Sequence, residues 1–180
     1  MTAPRIETAP LLETDRLILR AFAREEFPAF AAMYADPIVV RHTGDGQPVP
    51  GETSWLTLMV IHGHWLVTGY GAWAIVEKSS GRFIGDVGFT NRKRDWGPGL
   101  AGVTEMGWAL VPSAFGKGYA TEAARAALAW ARGHFGPARV FAITAPENAA
   151  SIRVAEKCGF AEFKRGESSG RPRIFFDRIL

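Results

Sequence analysis

The stretch FGKGYATEA, Phe115–Ala123, decides the reading of this chain. It joins a strand-like run ending at Val111 and Pro112 to an alanine-rich helical run from about Tyr119 to His134. Gly116 and Gly118 permit a tight turn, and that turn feeds directly into a helix N-terminus. The first turn of a helix leaves backbone N–H groups unpaired, with the positive end of the helix dipole behind them. A turn of this kind holds anions, phosphate foremost. Taken alone, the two glycines are equally well explained by the turn itself.

Working outward, Val103–Val111 and Ala138–Ala145 are β-rich runs on either side of that helix, and a strand, helix, strand unit of this length joins parallel strands. Upstream, Gly71–Val76 and Arg82–Asn91 alternate and are separated by KSSG, a hairpin-sized connection, so three consecutive antiparallel strands precede the helix. Farther back, Arg16–Phe22 reads as a first strand and Glu25–Tyr34 as a helix stopped at Asp36 and Pro37. Pro37–Gly51 reads as a loop, and Glu52–Leu66 as a helix with Trp55, Leu58, Met59, His62 and Leu66 on one face. After the parallel strand comes a helix from Asn148 to Lys157 closed by Gly159, then a hairpin of Ala161–Arg165 and Arg173–Ile179. The order β α α β β β α β α β β predicts an α/β (α+β) domain over residues 1–180, with residues 1–12 loosely ordered. Its sheet is mixed and mostly antiparallel, of about six to seven strands, with helices on both faces.

Composition excludes several classes. The 180 residues, 47% hydrophobic and 22% charged, are those of a globular protein able to bury a core without disulfide or metal support. A net charge of +3 suits a small anionic ligand and is too weak to argue for nucleic acid. A single cysteine, Cys158, excludes an internal disulfide and fits a cytoplasmic protein. Charged residues at Arg5, Glu7, Glu13 and Asp15, and the His62-Gly63-His64 break in the most apolar helical run, indicate neither a secretion signal nor a membrane span. His62 and His64 do not share a helix face, and no metal site is expected. Nothing separates a monomer from a homodimer.

Two common nucleotide loops are excluded by spacing. A Walker loop, G-x-x-x-x-G-K, needs Ser or Thr directly after its Lys, whereas Gly118 follows Lys117. A dinucleotide fingerprint requires Gly or Ala where Thr121 stands, and an acidic residue near the end of the following strand, where Val140–Thr144 has none. What FGKGYATEA does resemble is the acyl-CoA pyrophosphate loop of the GNAT superfamily of N-acetyltransferases. Within that superfamily it is similar to the branch acetylating ribosomal-protein N-termini, which often reads W-G-K-G-Y-A-T-E-A. Gly118 and Ala120 occupy the last two marked positions of the family motif, and Phe115 stands where Gln or Arg is usual. The resemblance implies that Phe115, Gly116, Lys117, Gly118, Tyr119 and Ala120 form the cofactor loop. It also implies that backbone groups of Leu110 and Val111 take the pantetheine arm.

PENAASIRVAEKCGF, Pro146–Phe160, resembles the N-x-x-S-x-x-V/L-x-E-K-x-G-F helix of the same branch. Asn148 then belongs to the cofactor site as well, although a helix cap accounts for it too. The Tyr that many members carry as proton donor is replaced here by Ala155, which leaves Ser151 or water for that task. On the strand VTEMGWALVP, Glu105 shares a face with small and apolar residues. By resemblance it is the residue that deprotonates the acceptor amine through water, with Asp86 on the neighbouring strand in reserve. Cys158 reads as buried, Arg92, Lys93, Arg94, Arg171 and Arg173 as solvated charges, and Trp96 as solvated or as lining an acceptor pocket. The function implied is transfer of acetyl from acetyl-CoA to a primary amine in a ternary complex. A protein N-terminus is the first choice of acceptor, a small amine such as an antibiotic, polyamine or amino acid the second, and a non-catalytic acyl-CoA-binding module the reading of another class.

Overall fold

A computed structural model describes residues 9–91, 93–94, 96–97 and 99–180. Its described strands form one eight-stranded sheet in the order β1-β2-β3-β4-β5-β6-β8-β7. They are β1 (Leu12–Glu13), β2 (Leu17–Arg20), β3 (Ala72–Glu77), β4 (Arg82–Thr90), β5 (Thr104–Leu110), β6 (Arg139–Thr144), β7 (Ala161–Ser168) and β8 (Arg171–Ile179). The one strand beyond the expected range is β1, a two-residue edge piece on β2. Every pairing is antiparallel except β5 with β6, the pair joined by the long helix α4 (Tyr119–Phe135).

Ahead of β3 lie α1 (Phe27–Ala35), α2 (Pro37–Val40) and α3 (Gly51–Thr68). The short α2 occupies the start of what the sequence presents as a loop. Proline ends α1, but it also suits the first position of a helix, and the Asp36 carboxylate caps α2 by accepting from Ile38 N–H at 2.8 Å. The buried face of α3 also differs from the predicted one: Ser54, Leu58, Ile61 and Trp65 are inside, while Met59 and Leu66 are exposed. This helix is apolar nearly all round, so periodicity had no polar face to exclude. Trp65 fixes the orientation by donating its indole N–H to Ala72 O at 2.9 Å.

The core lies between α4 and the sheet. Helix α4 turns Ala123, Ala124, Ala127 and Ala131 inward, and these small residues let it approach closely enough for the buried Trp73 and Phe89 to fill the layer. Pairing register sorts the two faces of the sheet. Trp73, Val87 and Trp108 stand in one cross-strand row on the α4 side. The next rows, Ala72-Gly88-Gly107 and Ala74-Asp86-Ala109, present small residues and one acid to the opposite face. Gly88 has no room for a side chain, since a Cβ there would meet the backbone of Ala72. A second small cluster, Leu100, Phe141 and Phe175 with Trp96, covers the far end of that face.

Candidate active site

Strands β5 and β6 pair only at Thr104↔Val140 and Glu105↔Phe141, and the pairing then stops. Beyond that point the sheet is split by a cleft with Glu105 at its vertex, half-buried and opposite Thr90. Backbone parity decides which groups face the opening. Val111 donates its N–H to Ile84 O on β4 at 2.9 Å, so odd-numbered residues of β5 point their peptide groups toward β4. Trp108 and Leu110 therefore turn their N–H and C=O groups toward the β6 side. Val111 does not: its N–H is committed to Ile84, and its carbonyl already accepts from Ala114 N–H at 2.9 Å.

The glycine loop closes the same end of β5. Gly116 and Gly118 have φ of 74° and 80°, conformations that glycine adopts without strain. Gly118 is the N-cap of α4 and no side chain caps the helix, so its first-turn N–H groups remain for another acceptor. Among the described residues, no backbone N–H from Gly116 to Gly118 donates within the chain. Lys117 is exposed, as is Phe115 at 46%. These features fit a pyrophosphate. Tyr119 is buried, its hydroxyl donating to Glu77 at 2.6 Å and its ring centre 6.0 Å from the Lys117 amine, and Ala120 is half-buried.

A residue of the opening segment holds this loop. Arg16 donates to Lys117 O at 2.9 Å and to Glu122 at 2.7 Å, and its guanidinium lies 4.6 Å from the Tyr119 ring centre. Glu122 also accepts from Thr14 Oγ1 at 2.6 Å and Arg16 N–H at 3.0 Å. Burial would raise the Glu122 carboxyl, but these bonds from Thr14 and Arg16 outweigh it and hold the group below its ordinary range. A carboxylate depressed on folding adds stability above its unfolded pKa and loses it as pH falls through the folded value. Glu122→Gln should accordingly cost about 1–2 kcal/mol at pH 7. In thermal melts the gap from wild type should narrow as pH falls below the ordinary value of 4.5. Arg16, Glu122, Arg125 and Lys157 line a cleft of about 780 Å³ beside the loop.

Helix α5 (Ala149–Lys157) stands on the other side of the cleft. Asn148 caps it, accepting Ser151 N–H at 3.1 Å, and the Ser151 hydroxyl accepts the Trp108 indole N–H at 3.3 Å. That bond leaves the hydroxyl proton to be donated elsewhere. Ser151 lies with Trp108 on the α4 side of the sheet, whereas Glu105 is on the opposite face, so the two candidate groups flank the split from its two sides. Asp86 shares the Glu105 face but sits four residues along, roughly 13 Å away. It is buried and accepts from Tyr34 Oη at 2.9 Å. Cys158 is buried and its thiol is pushed up by that burial, which disfavours a thiolate.

Several residues hold positions that the sequence did not suggest. His64 accepts Asn91 N–H at 3.0 Å and bonds Tyr70 O at 2.6 Å, tying α3 to the start of the loop after β4. Trp96 packs on Phe141 and Phe175, each 6.0 Å between ring centres, as a roof beyond Glu105. Lys93 and Arg94 are exposed as expected, and Arg92 lies outside the described residues. Arg173 is not a solvated charge: it is 3% exposed. Long-range partners set the positions of His64, Trp96 and Arg173, which is why no local pattern revealed them.

Residues 16–161 match the family model of the acetyltransferase (GNAT) domain, and the chain belongs to that family. It is an acetyl-CoA-dependent acyltransferase with the family's fold. The chain is similar to the YkkB protein of Bacillus subtilis, 29% identical over 93% of this chain and 94% of that one. A solved protein of Bordetella pertussis assigned to the GNAT acetyltransferases is 30% identical, with a TM-score of 0.82 covering 94% of this chain and 99% of the other. RimL, a ribosomal L7/L12 alpha-N-protein acetyltransferase solved with coenzyme A, matches at a TM-score of 0.75 over 95% and 98% of the two chains. At 17% identity that likeness shows the fold alone. No helix among the described residues is long and apolar enough to cross a membrane.

Proposed function

We propose that this acetyltransferase acts on a primary amine, a protein N-terminal amine first, by direct attack in a ternary complex. The observation that carries the reading is the split between β5 and β6, with Glu105 at its vertex and the glycine loop at its mouth. The FGKGYATEA match to the ribosomal-protein N-terminal branch supports the choice of acceptor. Backbone N–H groups from Gly116 to Ala120 hold the pyrophosphate, helped by Lys117. Arg125 and Lys157 offer cationic groups beyond them. Leu110 serves the pantetheine arm through its cleft-facing peptide groups. Val111 contributes packing and at most one carbonyl lone pair.

Acetyl-CoA supplies the activated acyl carbon; the chain supplies orientation and proton movement. Only a neutral amine attacks a thioester, and an α-amine has a pKa of about 7.7–8.0. Glu105 takes the amine proton through a water as the C–N bond forms. The N–H of Trp108 faces the negative charge developing on the carbonyl oxygen. As the C–S bond breaks, Ser151 or a water gives a proton to the departing thiolate. A thiol pKa of about 8.5 makes this donor dispensable in part, consistent with Ala155 in place of a phenol.

Initial rates with both substrates varied test the ternary complex. Intersecting lines are expected; parallel lines would place an acetyl group on the enzyme and refute direct attack. Phe115→Arg should restore a cation where the family usually has one, tightening acetyl-CoA binding about threefold by titration calorimetry. A small amine in place of a protein N-terminus remains the second reading, favoured only by the open space at Gly107, which is exposed and where a Cβ would meet nothing.

A further inference from the structure

Two guanidinium groups of the C-terminal strand, those of Arg171 and Arg173, stand over one face and are not used by the proposed chemistry. Arg173 on β8 is almost fully buried, yet its partners are neutral: Nη1 donates to His42 O at 3.3 Å and Nη2 to Gly44 O at 2.5 Å. Two residues along the same strand face, Arg171 has its Nη1 buried with no hydrogen-bond partner. It lies under Gly46, whose φ of 83° and missing side chain make room for it; a Cβ there would collide with Nη1. Among the described residues, no carboxylate forms an ion pair with either arginine. Buried cations are ordinarily paired, and an orphaned guanidinium donor is costly unless something else satisfies it.

Register places this pair on the substrate side. Thr144 pairs with Ile174, so Arg173 stands level with Ala145, the next residue of β6. Phe141 is level with Glu105 on β5, which puts Ala145 level with Ala109 across the open cleft. Arg173 also shares its face with Phe175 and, through Phe141, with Glu105. The far wall of the cleft is therefore cationic on the face where Glu105 waits for an amine. His42 is held below its ordinary value by burial and by Arg41, Arg171 and Arg173, so it adds little charge near neutrality. Glu147 is the acid whose field reaches both His42 and Arg173, and it is exposed.

We propose that the acceptor bears an anionic group, a carboxylate, beside its amine, and that Arg171 and Arg173 receive it beneath residues 42–46. A guanidinium pair suits a planar oxyanion, which can take two parallel N–H bonds. The inference rests on the amine-acetylation reading. An acidic side chain near a peptide N-terminus and the carboxylate of a free amino acid share this chemistry.

The test reads binding, so that it stands apart from turnover. Dissociation constants are measured in the presence of coenzyme A for two matched pairs of product-like probes. One pair is an N-acetylated tripeptide with Asp or Asn at the second position; the other is N-acetylglutamate and its diamide. The acidic member of at least one pair should bind about tenfold more tightly or better, and the pair that discriminates identifies the source. Arg171→Gln should erase the preference, and Arg171→Lys should keep part of it. Arg173→Met, checked for folding by its thermal melt, serves as a second variant if it retains structure. Equal binding of acid and amide in both pairs overturns the proposal, as does a preference that survives Arg171→Gln. A clear preference with no acetylation of any amine would leave this subsite standing and refute the enzymatic reading instead.

Discussion

Glu105→Gln is expected to lower turnover by about 10²–10⁴-fold at pH 7, with acetyl-CoA affinity within about twofold of wild type. The position explains both halves. Glu105 lies at the vertex where β5 leaves β6, on the face opposite α4, while the groups proposed to hold the donor lie farther up β5 and on the glycine loop. The defect should also depend on pH in a defined direction. Below about pH 7.7 the α-amine is mostly an ammonium ion and needs a base; above about pH 8 it is neutral without one. The ratio of wild-type to variant rates should therefore shrink as pH rises. Asp86→Asn is the control, because Asp86 is roughly 13 Å along the same face. Normal rates for Glu105→Gln with a collapsed rate for Asp86→Asn would move the base to Asp86.

Gly118→Val should weaken acetyl-CoA binding by roughly 30-fold or more, through the loop conformation. Gly118 holds φ at 80°, a region in which a β-branched residue is a true outlier. A Cβ at this position meets only the tip of Arg16, at 3.5 Å, so the penalty comes from the backbone rather than from a clash. The chain relieves it by leaving the left-handed region, which removes the cap of α4 and disperses the N–H groups that converge there. The binding-competent loop becomes a minor state, and the apparent affinity falls by its population. Thermal stability should fall little, since the loop can relax outside the core. Titration of wild type and variant with coenzyme A, alongside their melts, separates these effects.

What the sequence made legible was local. The glycine turn, the cap at Asn148 and the chain reversal at Lys78–Gly81 each follow from residues within a few positions of one another, and the structure has all three. Strand parity was half legible. Alternation placed Glu105 correctly on the face opposite Trp108, but only the pairing of Val111 with Ile84 tells that Leu110, and not Val111, faces the cleft. The Arg16 clamp spans about a hundred residues of sequence, and its charge looked like any other surface arginine. Arg173 was misread for a related reason: a strand of mixed polarity at the end of a chain gives no sign that residues 42–46 fold over it. The face of α3 was misread because a helix with apolar residues on every side has no period to read.

The central claim is that the loop, the split strands and Glu105 together form an acetyl-transfer site for amines. It is tested most directly by following thiol release from acetyl-CoA against a panel of short peptides and small amines, with acetylated products identified by mass. We expect amine-dependent thiol release and a matching acetylated product for at least one acceptor, lost in Glu105→Gln at pH 7. Tight binding of coenzyme A with no product from any amine would contradict it.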